Sequence, residues 1–228
     1  MQMDIRNVWA VVPAYNEGRK LYGIVSELKR RRLSVLVVDD GSTDDSAKIA
    51  RAAGADKIIS HPKNLGKGRS IKIAIAYLCA STDFEYMVTL DGDGQHAPGD
   101  LPVFFSAAAQ GCDFVVGNRM ANHRGMPRLR VATNRVMSWM ISRITGQYIP
   151  DTQCGYRLIR KEVLEHIQIR TTKFEIESEI LLKAARKGYR IHSVPIQSIY
   201  FQGYESNIHP VFDTIRFFRF LIKAVKFK

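Results

Sequence analysis

The chain has 228 residues, 46% of them hydrophobic and 25% charged, with three cysteines and a formal net charge of +12. That balance excludes a disordered or fibrous chain and is long enough for one substantial α/β domain with an appendage. Cys79, Cys112 and Cys154 are widely spaced with no C-x-x-C pair, so neither a disulfide framework nor a zinc site is expected, and a reducing cytoplasm is.

Val8–Val12 reads as a buried strand, ended by Pro13 and followed by the loop Pro13-Ala-Tyr15-Asn-Glu17. A charged amphipathic helix from about Glu17 to Arg32 comes next, then a second strand, Val35–Val38, that stops at Asp39-Asp40-Gly41-Ser42. Ser42 is expected to cap a helix carrying Ile49 and Ala50, closed by Gly54. Ile58-Ile59 reads as a short third strand, and Asn64-Leu-Gly66-Lys-Gly68 introduces a helix to about Cys79. The fourth strand, Tyr86-Met-Val-Thr-Leu, ends at Asp91-Gly92-Asp93-Gly94-Gln95-His96. Pro98 suits a first helical turn, and Cys112–Gly117 makes a fifth strand. Strands alternating with helices predict βαβ units, a mainly parallel sheet, and four polar loops gathered at one sheet edge.

The second half differs in charge. Residues 1–113 hold 14 Lys+Arg and 14 Asp+Glu, whereas residues 114–228 hold 20 and 8. Such asymmetry points to an anionic partner: a membrane surface, an acidic substrate or nucleic acid. Pro127–Gly146 reads as a helix studded with Arg128, Arg130, Arg135 and Arg143 and faced with Val131, Met137, Trp139, Met140 and Ile141. Cys154–Ile159 returns as a strand, Phe174–Lys187 is a helix stopped by Gly188, and Arg190–Tyr200 is extended. Val211–Lys228 alternates Arg216, Arg219, Lys223 and Lys226 with Phe212, Ile215, Phe218, Ile222 and Val225, the pattern of an interfacial helix or of a packed surface helix with a basic outer face. The division expected is residues 1–210 as the catalytic domain and 211–228 as a basic amphipathic helix. With no secretory leader pattern and no apolar run of about 18 residues, membrane contact is expected from the surface, at the cytoplasmic face.

Two carboxylates one residue apart at a strand's carboxyl end suit a hard divalent cation with positions left for phosphate oxygens. Asp-Gly-Asp-Gly alone also reads as a plain turn. A calcium loop fails on spacing, because His96 and Pro102 stand where glycine and glutamate are needed. No dinucleotide fingerprint or P-loop is present.

The four loops together, Pro-Ala-Tyr-Asn-Glu, Asp-Asp-Gly-Ser, Asp-Gly-Asp-Gly-Gln-His and Gly-Asn-Arg, resemble the family 2 glycosyltransferases, most closely the dolichol-phosphate mannose synthase group and its bacterial polyprenyl-phosphate relatives. The resemblance runs from about Val8 to Arg219. It implies a GT-A fold, a GDP- or UDP-sugar donor, Mg²⁺ or Mn²⁺, inversion at the anomeric carbon and a polyprenyl phosphate acceptor. By position, Pro13, Tyr15, Glu17, Val38 and Asp40 resemble the nucleoside pocket. Asp91, Asp93 and Gln95 resemble the metal and diphosphate group, with Gly92 in close backbone contact. Arg119 matches an arginine near the donor diphosphate, and Arg130 and Asn134 align with the acceptor-phosphate positions. Asp93, Arg119 and Arg130 are thus the catalytic candidates.

Asp151, Gly155 and Arg157 match the family's Asp-x-x-x-Gly-[Phe/Tyr]-Arg signature, with either a structural or an acceptor-contact role. The chain departs from the best-known synthases at Glu175, where they carry lysine, and at Gly203-Tyr204-Glu205-Ser206, where they carry Arg-Gly-Glu-Ser. Transfer to a hydroxyl, with Glu175, Glu177 or Glu179 as general base, is the alternative within enzymes. A nucleotidylyltransferase lacks its glycine- and arginine-rich loop here. Nucleic acid is not expected as a partner, because the basic residues are mixed with long apolar side chains and no RNA-reading aromatic motif is visible.

Overall fold

The computed structural model describes residues 5–173, 175–197, 199, 217, 220 and 221. Strands β1 (Val8–Ala14), β2 (Ser34–Asp39), β3 (Lys57–Ser60), β4 (Tyr86–Thr89), β5 (Phe114–Asn118), β6 (Arg157–Arg160) and β7 (Ile191–Pro195) form one sheet in the order β3-β2-β1-β4-β6-β5-β7. All neighbours pair in parallel except β6, which runs antiparallel to both β4 and β5. The β-branched runs of β1 and β2 are buried on both faces. Val11, Val12, Leu36 and Val37 are fully excluded from solvent, and each such side chain contributes about 1.5–3 kcal/mol of transfer free energy.

The helices are α1 (Gly18–Arg30), α2 (Ser46–Ala52), α3 (Lys67–Ser81), α4 (Leu101–Ala109), α5 (Arg128–Thr145), α6 (Lys161–His166) and α7 (Glu175–Arg186). Leu21, Ile24, Val25 and Leu28 give α1 the buried stripe that fixes it to the sheet. The chain steps outward from β1 to β2 to β3, then returns over β2 and β1 to reach β4. With right-handed crossovers, α1 and α2 share one face and α3 takes the other. The order therefore reverses between β1 and β4. The loops after those two strands flank the crevice where open α/β sheets bind ligands.

Three expectations need correction. The second helix starts at Ser46, not after a Ser42 cap: the Ser42 hydroxyl instead accepts the Asn16 amide at 3.0 Å, and the Ser42 amide donates to Asp39 Oδ1 at 3.0 Å. Local side-chain hydrogen bonds won over capping, and they tie the first two loops together. Trp139 does not share the inward face of α5 with Val131, Met137 and Ile141; it points outward and is exposed. The short helix α6 and the 3₁₀ turn Arg119–Asn122 were not anticipated, because neither is long enough to show a period. Gly203-Tyr204-Glu205-Ser206 and nearly all of 211–228 lie outside the described residues. Of that last segment, Phe217 and Leu221 are buried in the core cluster and Phe220 packs against it.

Candidate active site

β1, β2, β4 and β5 point the same way, so the four polar loops do share one edge. Gly92 joins two of them by close approach. A Cβ there would lie 2.9 Å from the Pro13 carbonyl oxygen, so only glycine lets the loop after β4 lie against the end of β1. Asp93 Oδ1 accepts the Gln95 amide at 2.9 Å, which closes the loop on itself. The Glu17 pKa is raised, chiefly by desolvation and also by the charge of Asp93, so the first loop's acid sits within electrostatic reach of the second's.

Asp91 carries a set of contacts that its sequence neighbourhood does not disclose. Lys67, the first residue of α3, places its ammonium 2.5 Å from Asp91 Oδ1 and 2.8 Å from Glu177 Oε1. Burial pushes the Asp91 pKa up. Lys67, helped by the charge of Arg119, more than offsets it and holds the carboxyl at about 2, so it is ionised at any working pH. The buried His96 accepts the Asp91 backbone N–H at Nδ1 (3.3 Å) and turns Nε2 toward Cys154 Sγ (3.8 Å). Desolvation keeps its imidazole neutral, in a supporting position behind the carboxylate. A Cβ on Gly155 would fall 2.7 Å from the Lys67 nitrogen and 2.9 Å from Asp91 Oδ2, which accounts for glycine in the Asp-x-x-x-Gly-Tyr-Arg run.

The other members of that run are internal clamps. Asp151 accepts Arg119 Nε at 2.8 Å, an Arg119 terminal nitrogen at 2.9 Å, the Arg119 amide at 3.0 Å and Asn134 Nδ2 at 2.7 Å, all in buried surroundings. Arg157 is fully buried and donates to the carbonyls of Cys154, Thr152 and Glu177, which fixes the turn before β6 to α7. Arg119 and Asn134 thus lie in one buried network, with Arg119 acting on Asp91 through its field. Arg130, one turn before Asn134 on α5, is half-buried and makes no ion pair among the described residues.

On the nucleoside side, Tyr15 is exposed at the edge, while Pro13 and Val38 are buried strand residues. Asp40 is buried and accepts the amides of Leu65 (2.9 Å) and Gly66 (2.7 Å), with His61 Nδ1 at 2.7 Å. It therefore shapes the loop that leads into α3. Lys67 and His61 are the site-edge residues that sequence reasoning missed, and Glu177, named there only among three possible general bases, is the second carboxylate on Lys67. Only Gly66-x-Gly68, noted as a helix start, pointed near either missed residue.

Asp91, Asp93 and Gln95 offer oxygen donors, the preference of Mg²⁺ and Mn²⁺. Among the described residues no three His, Cys, Asp or Glu side chains converge. The residues present fit a cation whose remaining ligands come from a diphosphate and water.

A doubly wound sheet with one antiparallel strand next to β4 and an Asp-x-Asp pair at the reversal defines a glycosyltransferase of GT-A architecture. The chain belongs to glycosyl transferase family 2, whose profile matches residues 9–168. It is 29% identical over 218 residues to the UDP-N-acetylglucosamine–dolichyl-phosphate N-acetylglucosaminyltransferase of Methanococcus voltae, covering 85% of this chain and 86% of that protein. It is 32% identical over 190 residues to a dolichyl-phosphate hexose transferase of Haloferax volcanii, covering 82% and 80%. In fold it is similar to glucosyl-3-phosphoglycerate synthase from Mycobacterium tuberculosis, crystallised with Mn²⁺, UDP and phosphoglyceric acid, with a TM-score of 0.72 at 19% identity over 96% of this chain and 76% of that one.

Proposed function

We propose that this enzyme transfers a sugar, with inversion, from a nucleoside diphosphate sugar to a polyprenyl phosphate, and that Asp91, Asp93 and Gln95 hold a Mg²⁺ or Mn²⁺ ion with the donor diphosphate. The observation that carries the reading is the division of charge across the site. Carboxylates stand on the loop after β4, and α5, whose first turn carries Arg128 and Arg130, is tied by Asn134 and Asp151 to Arg119, whose charge reaches Asp91. The two dolichyl-phosphate relatives agree with it.

When bound, the ion neutralises charge that builds on the leaving diphosphate. The protein's own residues do the rest. Lys67 holds Asp91 ionised, and His96 and Gly155, packed against it, help fix its direction. Gly92 lets the loop close on β1, and Tyr15, Glu17 and Asp40 border the nucleoside. Arg119, locked by Asp151, adds fixed positive potential without having to reorganise. A lipid phosphate is already anionic near neutral pH and needs no base. Arg130 receives it through charge-assisted hydrogen bonds, on the helix turn that Asn134 anchors.

Two glutamates of α7 are committed elsewhere. Glu179 accepts the amides of Arg170 and Thr171, the Thr171 hydroxyl and the Lys183 ammonium, and Glu177 pairs with Lys67. One observation favours the second reading, transfer to a hydroxyl: Glu177 shares Lys67 with Asp91 and so stands beside the donor edge. The test ranks two variants in a transfer assay. Arg130→Ala costing far more activity than Glu177→Gln supports the phosphate acceptor. The reverse order, with a Glu177-dependent acidic limb in the pH profile, supports the hydroxyl.

A further inference from the structure

Residues 114–150 contain six arginines and no acidic residue, and α5 lies in their middle. At about 100° per residue, a helix has room for two distinct faces in 18 residues. Val131, Asn134, Met137, Ser138 and Ile141 form the buried one. Arg130 belongs to that inward side, four residues before Asn134. The opposite side is apolar and uncovered: Leu129 is 67% exposed, Val136 51% and Trp139 61%, and Tyr148 in the turn after the helix is 84% exposed. Leu129, Val136 and Trp139 follow one another at helical spacing. Arg128, Arg135 and Arg143 border them, and Arg143 lies over the Trp139 ring at 5.9 Å. A cavity of about 370 Å³ opens beside the stripe, lined by Arg135, Ser138, Trp139, Ser142, Tyr148 and Asn118 among others.

We infer that the outer face of α5, with Tyr148, is the surface by which this enzyme docks on an anionic lipid bilayer. Large apolar and aromatic side chains framed by arginine, with no acid on the same segment, match an interface of acyl chains beneath negative headgroups. A soluble protein partner would have to bury this arginine frame against acids, and a nucleic acid would gain nothing from Leu129 and Val136. The terminal segment is the weaker candidate, since its described apolar residues, Phe217 and Leu221, turn into the core. The inference rests on the lipid-phosphate reading and adds to it. Arg130 shares the first turn of α5 with Leu129, so the proposed phosphate-binding arginine and the apolar stripe lie on one short segment; among the described residues no helix is long and apolar enough to cross a membrane.

The experiment compares the full chain with Leu129→Ser/Val136→Ser/Trp139→Ser in co-sedimentation with phosphatidylglycerol-containing vesicles and with vesicles of phosphatidylcholine alone. The expected result is selective binding of the intact chain to the anionic vesicles, weakened about tenfold or more in the variant. Equal binding by both proteins overturns the inference. Trp139 gives a second readout in the intact stripe. In a Trp9→Phe background it is the sole tryptophan, and anionic vesicles with bromine-labelled acyl chains are expected to quench it; emission unaffected by such vesicles also overturns the inference. A water-soluble short-chain polyprenyl phosphate separates this claim from the one beneath it. The triple variant is expected to keep transfer to that acceptor, whereas failure of the intact enzyme to use it counts against the lipid-phosphate reading and leaves the vesicle result to stand alone.

Discussion

Lys67→Met is the sharpest perturbation of the acidic edge. It removes one ammonium from between two carboxylates and keeps most of the side chain's volume. In the intact protein Asp91 is held at about 2 against an ordinary 3.8, a difference that contributes about 2 kcal/mol to folding at neutral pH. Without Lys67 the largest opposing influence, desolvation, is left to raise the Asp91 pKa, so the stabilisation is lost or reversed. At about 2–4 °C per kcal/mol for a domain of this size, the melting temperature should fall by roughly 4–8 °C at pH 7. The sign with pH follows from a depressed carboxyl. The advantage of wild type over Lys67→Met is fully present above the raised Asp91 pKa of the variant and shrinks as pH falls through it toward about 2. Thermal unfolding followed by circular dichroism from pH 7 down to pH 3 reads both. An unchanged melting temperature at pH 7, or a gap that widens on acidification, refutes the assignment of Lys67 as the counter-ion of Asp91.

Asp151→Ala leaves the buried Arg119 guanidinium without its carboxylate and should cost about 3–5 kcal/mol in urea unfolding; a loss below about 1 kcal/mol contradicts the clamp. Gly155→Ala forces a methyl against Lys67 and Asp91. It should cost about 1–3 kcal/mol of stability and weaken metal-dependent nucleotide binding, which calorimetry with UDP or GDP and Mn²⁺ measures. Asp93→Asn should leave the melting temperature near wild type while abolishing transfer, and excess chelator should remove nucleotide binding from the intact enzyme; equal affinity with and without chelator sinks the metal assignment.

What was legible in the sequence was what is local. The apolar runs of β1, β2, β4 and β5 and the stripe of α1 follow from period and turn residues alone, and with them the shared edge of the four loops. The Asp91–Gly92–Asp93 group also stood out, because adjacent carboxylates interrupt an apolar strand. The antiparallel setting of β6 had no such signal, since a four-residue strand reads the same in either direction. Lys67, Glu177 and Gly155 come together from three distant segments, and although Gly155 stood in a signature and Glu177 among the possible bases, no local signal joined either to Lys67. Trp139 went astray for a related reason. An apolar residue on an amphipathic helix is assigned inward by default, and here the helix has a second apolar face that is exposed.

The central claim is the acceptor, and the most direct measurement is mass spectrometry of products after incubating the enzyme with Mg²⁺ or Mn²⁺, a panel of UDP- and GDP-sugars, and a polyprenyl phosphate beside sugar and peptide hydroxyl acceptors. The account predicts a sugar-phosphate-polyprenyl product with one donor, absent with Asp93→Asn and strongly reduced with Arg130→Ala. Glycosylated hydroxyl acceptors with the lipid phosphate left unmodified would contradict it.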